Sequence, residues 1–291
     1  MTPSSNRVDV RKTYKLFVGG AFVRSESGRT YEALDAKGRF VANVARASRK
    51  DARDAVAAAR KAFTGWSART PYNRGQILYR VAEMIEGRRE QFVGEVAAGE
   101  GLSRPRATTV VDVAIDRWVW YAGWADKLAQ VTGSANAVAG PYFNFSFPEP
   151  TGVVAVLAPQ RSSLLGLVSV VAPAIVSGNT VVAVSSHARP VASVTLSEVL
   201  ATSDLPGGVV NLLTGEAAEV GPWLASHQDV NAIDLAGADE PELALALEVA
   251  AAGNLKRVVH HTGVVDWSRD PGISPMTALL ETKTVWHPIG I

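Results

Sequence analysis

The sequence predicts an α/β fold with a doubly wound parallel sheet. From Thr151 onward, apolar runs alternate with helical segments. The alternation gives five strands separated by crossover helices, and strands connected in that way pair in parallel. The chain's 291 residues, 47% hydrophobic and 20% charged, are enough to bury a substantial core.

Before that region, residues 14–44 read as short strands in an antiparallel edge element, with turns at Gly19-Gly20, Ser27-Gly28 and Lys37-Gly38. Ser48 with Asp51 three residues later resembles a capping box. Ala52, Ala55, Val56, Ala59 and Phe63 then follow at helical spacing. A second helix starts at Thr70-Pro71, a cap followed by proline in the first turn, and a shorter third lies at 88–98. A long helix is predicted over 105–128, where Val111, Ala114, Ile115, Trp118, Tyr121, Ala125 and Leu128 form one apolar stripe. Trp118, Trp120 and Trp124 are read as packing residues rather than a ligand box.

The five strands fall at 153–157, 180–184, 209–213, 232–235 and 257–260. Helices at 164–176, 191–200, 217–225 and 241–252 connect them. Ligands of such sheets sit beyond the carboxyl ends of the strands, which places any site near Pro159, Ser185, Gly215, Gly237 and His261. Past Thr262 no further unit follows, only a Pro- and Gly-containing stretch and a last apolar run at 278–286. A strand so far from its domain needs a pairing partner, and a neighbouring subunit is the simplest expectation.

A formal net charge of +1, with both signs interspersed, offers no field for nucleic acid or an acidic membrane. The apolar stretch 152–176 is interrupted by Pro159, Gln160 and Arg161, so no membrane span is expected. The first fifteen residues carry Arg7, Asp9, Arg11 and Lys12 without an apolar core, and a cytoplasmic location is the expectation. The chain contains no cysteine, which removes disulfides, thiolate metal ligands and thiol nucleophiles together.

Several segments, in their order, resemble the aldehyde dehydrogenase superfamily: LFVGG at 16–20, YAGWADKLAQVTG at 121–133, GVVAVLAPQRSSLLGLVSVVAPAIVSGNTVVAV at 152–184, DLPGGVVNLLTGEAAEVG at 204–221 and ETKTVWHPIG at 281–290. The resemblance implies an amino-terminal part over 8–130, an oligomerisation hairpin over 131–150, a Rossmann-like core over 151–265, and a linker with an oligomerisation strand over 266–291. It also implies that a whole catalytic domain, which carries the family's thiol nucleophile, is missing between His261 and Leu279. That thiol attacks the aldehyde and the adduct gives hydride to the nicotinamide, a route closed here.

Other positions depart from the family pattern. Where the family has an oxyanion-binding asparagine this chain has Arg161, and where it has a glutamate base this chain has His261. The lysine and glutamate that would hold the adenosine ribose fall on Val184 and His187. In the phosphate turn Gly215 and Gly221 persist, the central glycine is Ala217, and an expected serine is Ala238. Pro159, Ser185, Gly215, Ala217, Gly221 and Gly237 therefore form a degenerate cofactor site, with NAD(P) affinity expected to be weak or lost. Arg161 and His261 are degenerate catalytic positions.

Three sharper readings have plain counterparts. Ser162-Ser163 could offer a polarised nucleophile, but helix capping is the preferred reading. His260 and His261 point to opposite faces of a strand and are not expected to share a metal. Arg161 could clamp an anion or simply form a salt bridge in an unused pocket. The function expected is a catalytically inactive subunit that assembles with itself or, preferably, with a full-length aldehyde dehydrogenase. The alternatives are a residual NAD(P)-linked oxidoreductase with His261 as base, and an anion or nucleotide sensor built on Arg161 and the Gly215 turn.

Overall fold

The computed structural model describes residues 10–261 and 263–290. Strands β1 (Thr13–Tyr14), β2 (Leu16–Val18), β3 (Ala21–Val23), β4 (Thr30–Leu34) and β5 (Phe40–Ala45) open the chain. Helices α1 (Arg49–Ser67), α2 (Pro71–Glu86), α3 (Arg89–Glu100), α4 (Arg104–Trp124) and α5 (Leu128–Thr132) follow, then β6 (Ser134–Asn136) and β7 (Tyr142–Pro150). The alternating region comprises β8 (Val153–Leu157), α6 (Leu165–Val176), β9 (Thr180–Val184), α7 (Val191–Leu200), β10 (Val210–Leu213), α8 (Ala217–Ser226), β11 (Ala232–Asp234), α9 (Pro241–Ala251) and β12 (Arg257–Val259). A short α10 (Ser274–Thr277) leads into β13 (Leu280–Pro288).

The central sheet runs β12-β11-β8-β9-β10-β2-β3, parallel through its first five strands. Every residue of β8, β9 and β10 is buried, because helices cover both faces of the sheet. One face carries α6, α7 and the α2–α4 layer, and the other carries α1, α8 and α9. Helix α6 is apolar all round and buried along its whole length, as a helix caught between a sheet and a second helical layer must be.

The SGNT turn after α6 has a physical explanation. Gly178 takes φ +98, and the buried Asn179 accepts from the Gly152 amide while donating to Ser177 Oγ and the Leu279 carbonyl. One amide thereby ties together the start of β8, the end of α6 and the approach to β13.

At the amino terminus of α1, Ser48 and Asp51 form the expected capping box. Trp118 is fully buried, and Trp120 packs edge-on against Tyr121 and tilted against Trp124, so the tryptophans serve packing.

Three expectations need correction. The long helix stops at Trp124, and α5 begins separately at Leu128. The region 14–44 is not one antiparallel element: β2 and β3 extend the central sheet, while β1 pairs in parallel with β5 in a separate sheet. Strand β13 does not wait for a neighbouring subunit. It pairs antiparallel with β7 of its own chain across nine residues, from Leu280 opposite Pro150 to Pro288 opposite Tyr142. Arg257 of β12 also grips Glu281 through two bonds of 2.7 Å. In the β13-β7-β6 sheet, β13 is an edge, with no strand beside its outer side among the described residues.

Candidate functional site

The strand register brings the carboxyl ends of β8 to β12 to one rim, where two separate environments form. The first lies beyond β9 and β10. Ser185 is buried there, and its hydroxyl has no hydrogen-bond partner. His187 stacks on Tyr31 at 4.4 Å between ring centroids, with its Nδ1 buried and unpartnered. Burial pushes the Tyr31 phenol well above its ordinary pKa, so it stays neutral.

The Gly215 turn is held by the end of β5 and the residues just after it. Ala47 donates to the Thr214 carbonyl at 2.8 Å, and Thr214 Oγ1 donates to the Ala45 carbonyl at 2.6 Å. Gly215 takes φ +140, and a Cβ there would lie 3.3 Å from the Ala47 nitrogen and 3.8 Å from Cγ of Arg46. Arg46 then reaches Glu216 at 3.1 Å and Glu219 at 2.8 Å, while Arg29 reaches the other Glu219 oxygen at 2.5 Å. The hydrogen bonds from Arg29 and Arg46 hold the Glu219 carboxyl below its usual range. Ala217 opens α8 immediately after this cluster.

Two of the glycines have structural reasons to be glycine. A Cβ on Gly237 would come within 2.0 Å of the Ala158 carbonyl oxygen, because its amide is drawn to the Leu157 carbonyl at 2.7 Å. A Cβ on Gly221 would press on Leu247 at 3.2 Å and Leu157 at 3.5 Å, where α8 meets α9 and the sheet. Close backbone and helix packing thus accounts for both residues.

The second environment is a cleft of about 530 Å³ beyond β8, β11 and β12, lined among others by Pro159, Arg161, Asp239, His261 and Trp267. His261 Nε2 lies 3.0 Å from Oδ1 of the buried Asp234, and its ring sits 5.5 Å from that of Trp267. Burial alone would lower the imidazole pKa. The hydrogen bond and charge of Asp234 outweigh it, and the pKa stands above the ordinary histidine value.

Ser162 accepts the Gly166 amide at 2.9 Å in the first turn of α6, and Ser163 donates through its amide and hydroxyl to Glu100, so both serines are held by structural bonds. His260 turns away to Glu248 at 3.4 Å. Among the described residues no group of three or more His, Asp or Glu is placed to hold a metal, and no helix is long and apolar enough to cross a membrane. The salt bridge expected for Arg161 is not formed among the described residues: its side chain is exposed and has no protein partner. Asp234, Trp267, Tyr31 and Arg46 escaped the sequence reading. Of these only Asp234 had a signal, a carboxylate ending an apolar strand.

The aldehyde dehydrogenase family model matches residues 22–267. The chain belongs to the aldehyde dehydrogenase family. An aldehyde dehydrogenase of Davidiella tassiana is 31% identical over 100% of this chain and 57% of its own length. The cytosolic 10-formyltetrahydrofolate dehydrogenase of Xenopus tropicalis is 32% identical over 87% of this chain and 28% of its own. Among solved structures, a putative aldehyde dehydrogenase from Burkholderia cenocepacia aligns with a TM-score of 0.80 at 31% identity, covering 84% of this chain and 50% of that one. An NAD+ complex of an aldehyde dehydrogenase from Bacillus cereus aligns at 0.79 and 25% identity, covering 85% of this chain and 50% of that one. The chain thus spans about half the length of the family members it resembles. It shares their mixed α/β architecture with a parallel sheet.

Proposed function

We propose that the chain is a non-catalytic aldehyde dehydrogenase-like subunit. It assembles through the β6–β7 hairpin and β13, preferably with a full-length aldehyde dehydrogenase, to stabilise or regulate it. The observation that carries the reading is the absence of any cysteine in the 291 residues of a chain whose family chemistry runs through a thiol. The passage 263–273, which stands where the resemblance calls for a catalytic domain, is packed against the helical layer. Arg117 of α4 donates to the carbonyls of Trp267 and Arg269, and Trp267 and Ile273 lie on the main core.

The residues at the family's cofactor positions do not fit a dinucleotide. Arg46 packs beside Gly215 and is paired, with Arg29, to Glu216 and Glu219 rather than left to meet a diphosphate, and His187 stacks on Tyr31. Val184 is a fully buried aliphatic residue, Ala217 adds a methyl where the resemblance implies a glycine, and Ala238 supplies no hydroxyl where it implies a serine. These features support weak or lost NAD(P) binding, and no step through the cofactor is derived for this chain. The edge of β13 supports assembly, because nine residues of strand present backbone groups on a side where no strand of the described residues lies.

Calorimetric titration with NAD+ and NADP+ tests the cofactor half of this reading. It should show no saturable binding below about millimolar concentration, and a submicromolar dissociation constant contradicts it. A residual oxidoreductase with His261 as base is the second reading, favoured by the His261–Asp234 hydrogen bond. Aldehyde-dependent reduction of the nicotinamide by the isolated chain would establish it.

A further inference from the structure

The cleft beyond β8, β11 and β12 is lined by an arginine whose charge is left unpaired among the described residues. Arg161 lines it with no hydrogen bond or ion pair to any described residue. His261, whose Nε2 is engaged by Asp234, lines the same cleft. Part of the lining is apolar, built by Leu235, Val265 and the indole of Trp267. The volume of about 530 Å³ lies within the range of small-molecule sites.

We propose that this cleft binds a small monocarboxylate carried on an apolar body, with the carboxylate on Arg161 and the body against Trp267 and Val265. A guanidinium presents a planar fork of donors that matches a carboxylate in two parallel hydrogen bonds. The apolar lining gives the rest of such a molecule surface to bury, which inorganic phosphate cannot use. Phosphate is further disfavoured by Asp239, a carboxylate lining the same cleft that repels a dianion more than a monoanion.

The charged and titratable groups around the imidazole are Asp234 at the end of β11, Asp239 in the following loop and Arg161 after β8. With His261 protonated, the two cations balance the two carboxylates. When His261 loses its proton one negative charge is left over, and a bound carboxylate is opposed. Affinity therefore falls as pH rises through the His261 titration.

The Gly215 turn plays no part in this site, because its own arginines and glutamates pair with one another. A monocarboxylate is also what oxidation of an aldehyde releases. In the proposed assembly the cleft would sense product, a consequence that rests on the subunit reading, whereas the binding itself does not.

The test is calorimetry on the isolated full chain with benzoate and hexanoate, beside inorganic phosphate, at about pH 6 and about pH 8.5. The proposal expects saturable carboxylate binding, at least roughly tenfold weaker in Arg161→Gln and weaker at the higher pH. In His261→Gln, whose amide can keep a bond to Asp234, the carboxylate should bind without that pH dependence. Arg161 is exposed, so its variant should keep the wild-type unfolding midpoint, and a melt run in parallel confirms that the comparison is between folded proteins. Absence of carboxylate binding, equal affinity in Arg161→Gln, or phosphate binding as tight as benzoate would each overturn the proposal. None of these results depends on a partner subunit, so they leave the assembly reading to its own experiment.

Discussion

Arg117 on α4 donates from Nη2 to the Trp267 carbonyl at 2.6 Å, and the same nitrogen reaches the Arg269 carbonyl at 2.8 Å. Arg117 is 5% exposed and also lies beside the Tyr121 phenol, so a buried cation and a loop without regular structure satisfy one another. The segment where the resemblance implies a missing domain is thereby fastened to the helical layer.

Arg117→Met should destabilise the fold by about 2–3 kcal/mol, since charge-assisted hydrogen bonds are lost and water replaces only part of them. Hydrogen exchange distinguishes this from general loosening. Amides of 263–273 should lose protection first, while those of β8 and β9 keep theirs.

Gly237→Ala should lower stability by about 3 kcal/mol or more, because the Ala158 carbonyl oxygen stands 2.0 Å from the new carbon and belongs to the backbone. A melting-temperature drop of roughly 6–12 °C is expected. Gly253→Ala, with no atom within 4 Å of its Cβ, should change little.

The His261–Asp234 pair should make stability pH-dependent in a defined direction. The folded pKa of His261 is raised above its unfolded value. Its contribution is therefore complete below the ordinary histidine pKa of about 6.5 and is lost as pH rises through the raised folded value. Denaturant midpoints measured across that window should decline in the wild type relative to His261→Gln, and a flat difference contradicts the assignment.

Glu95 titrates against its surroundings. Burial raises its pKa over the lowering effect of its bonds from Gln91 and Thr195, and Oε2 has no partner. The folded state thus favours the protonated form, and the stability this gives is complete below the unfolded pKa of about 4.3 and is lost as pH rises through the raised one. Glu95→Gln should gain on the wild type as pH rises from 4 to 7, read from paired melts.

The alternating region was legible because its signals are local. Val153, Thr180 and Arg257 each begin a strand where the expected run begins, and Val191 and Pro241 each begin a helix. For the strands the sequence misplaced the deciding contact was long-range, whereas at Trp124 it was local. Nothing near Trp124 announces a break: the chain turns through 125–127 on bonds from Ala125 to the Ala122 carbonyl and from Lys127 Nζ to the Gly123 carbonyl, then starts again at Leu128. The parallel pairing of β1 with β5 joins Thr13 to Asn43 and has no turn signature. The same holds for the candidate site. Pro159, Gly237 and His261 could be placed from strand ends alone, whereas the Tyr31–His187 stack and the packing of Arg46 beside Gly215 bring together segments far apart in sequence.

The central claim is tested most directly by the mass and composition of the protein purified from its own source, measured by size-exclusion chromatography with light scattering and mass spectrometry of the peak. The account predicts that a longer aldehyde dehydrogenase chain co-elutes with it in fixed ratio. Elution as a lone chain, or as an assembly of this chain only that oxidises aldehydes with NAD+, would contradict it.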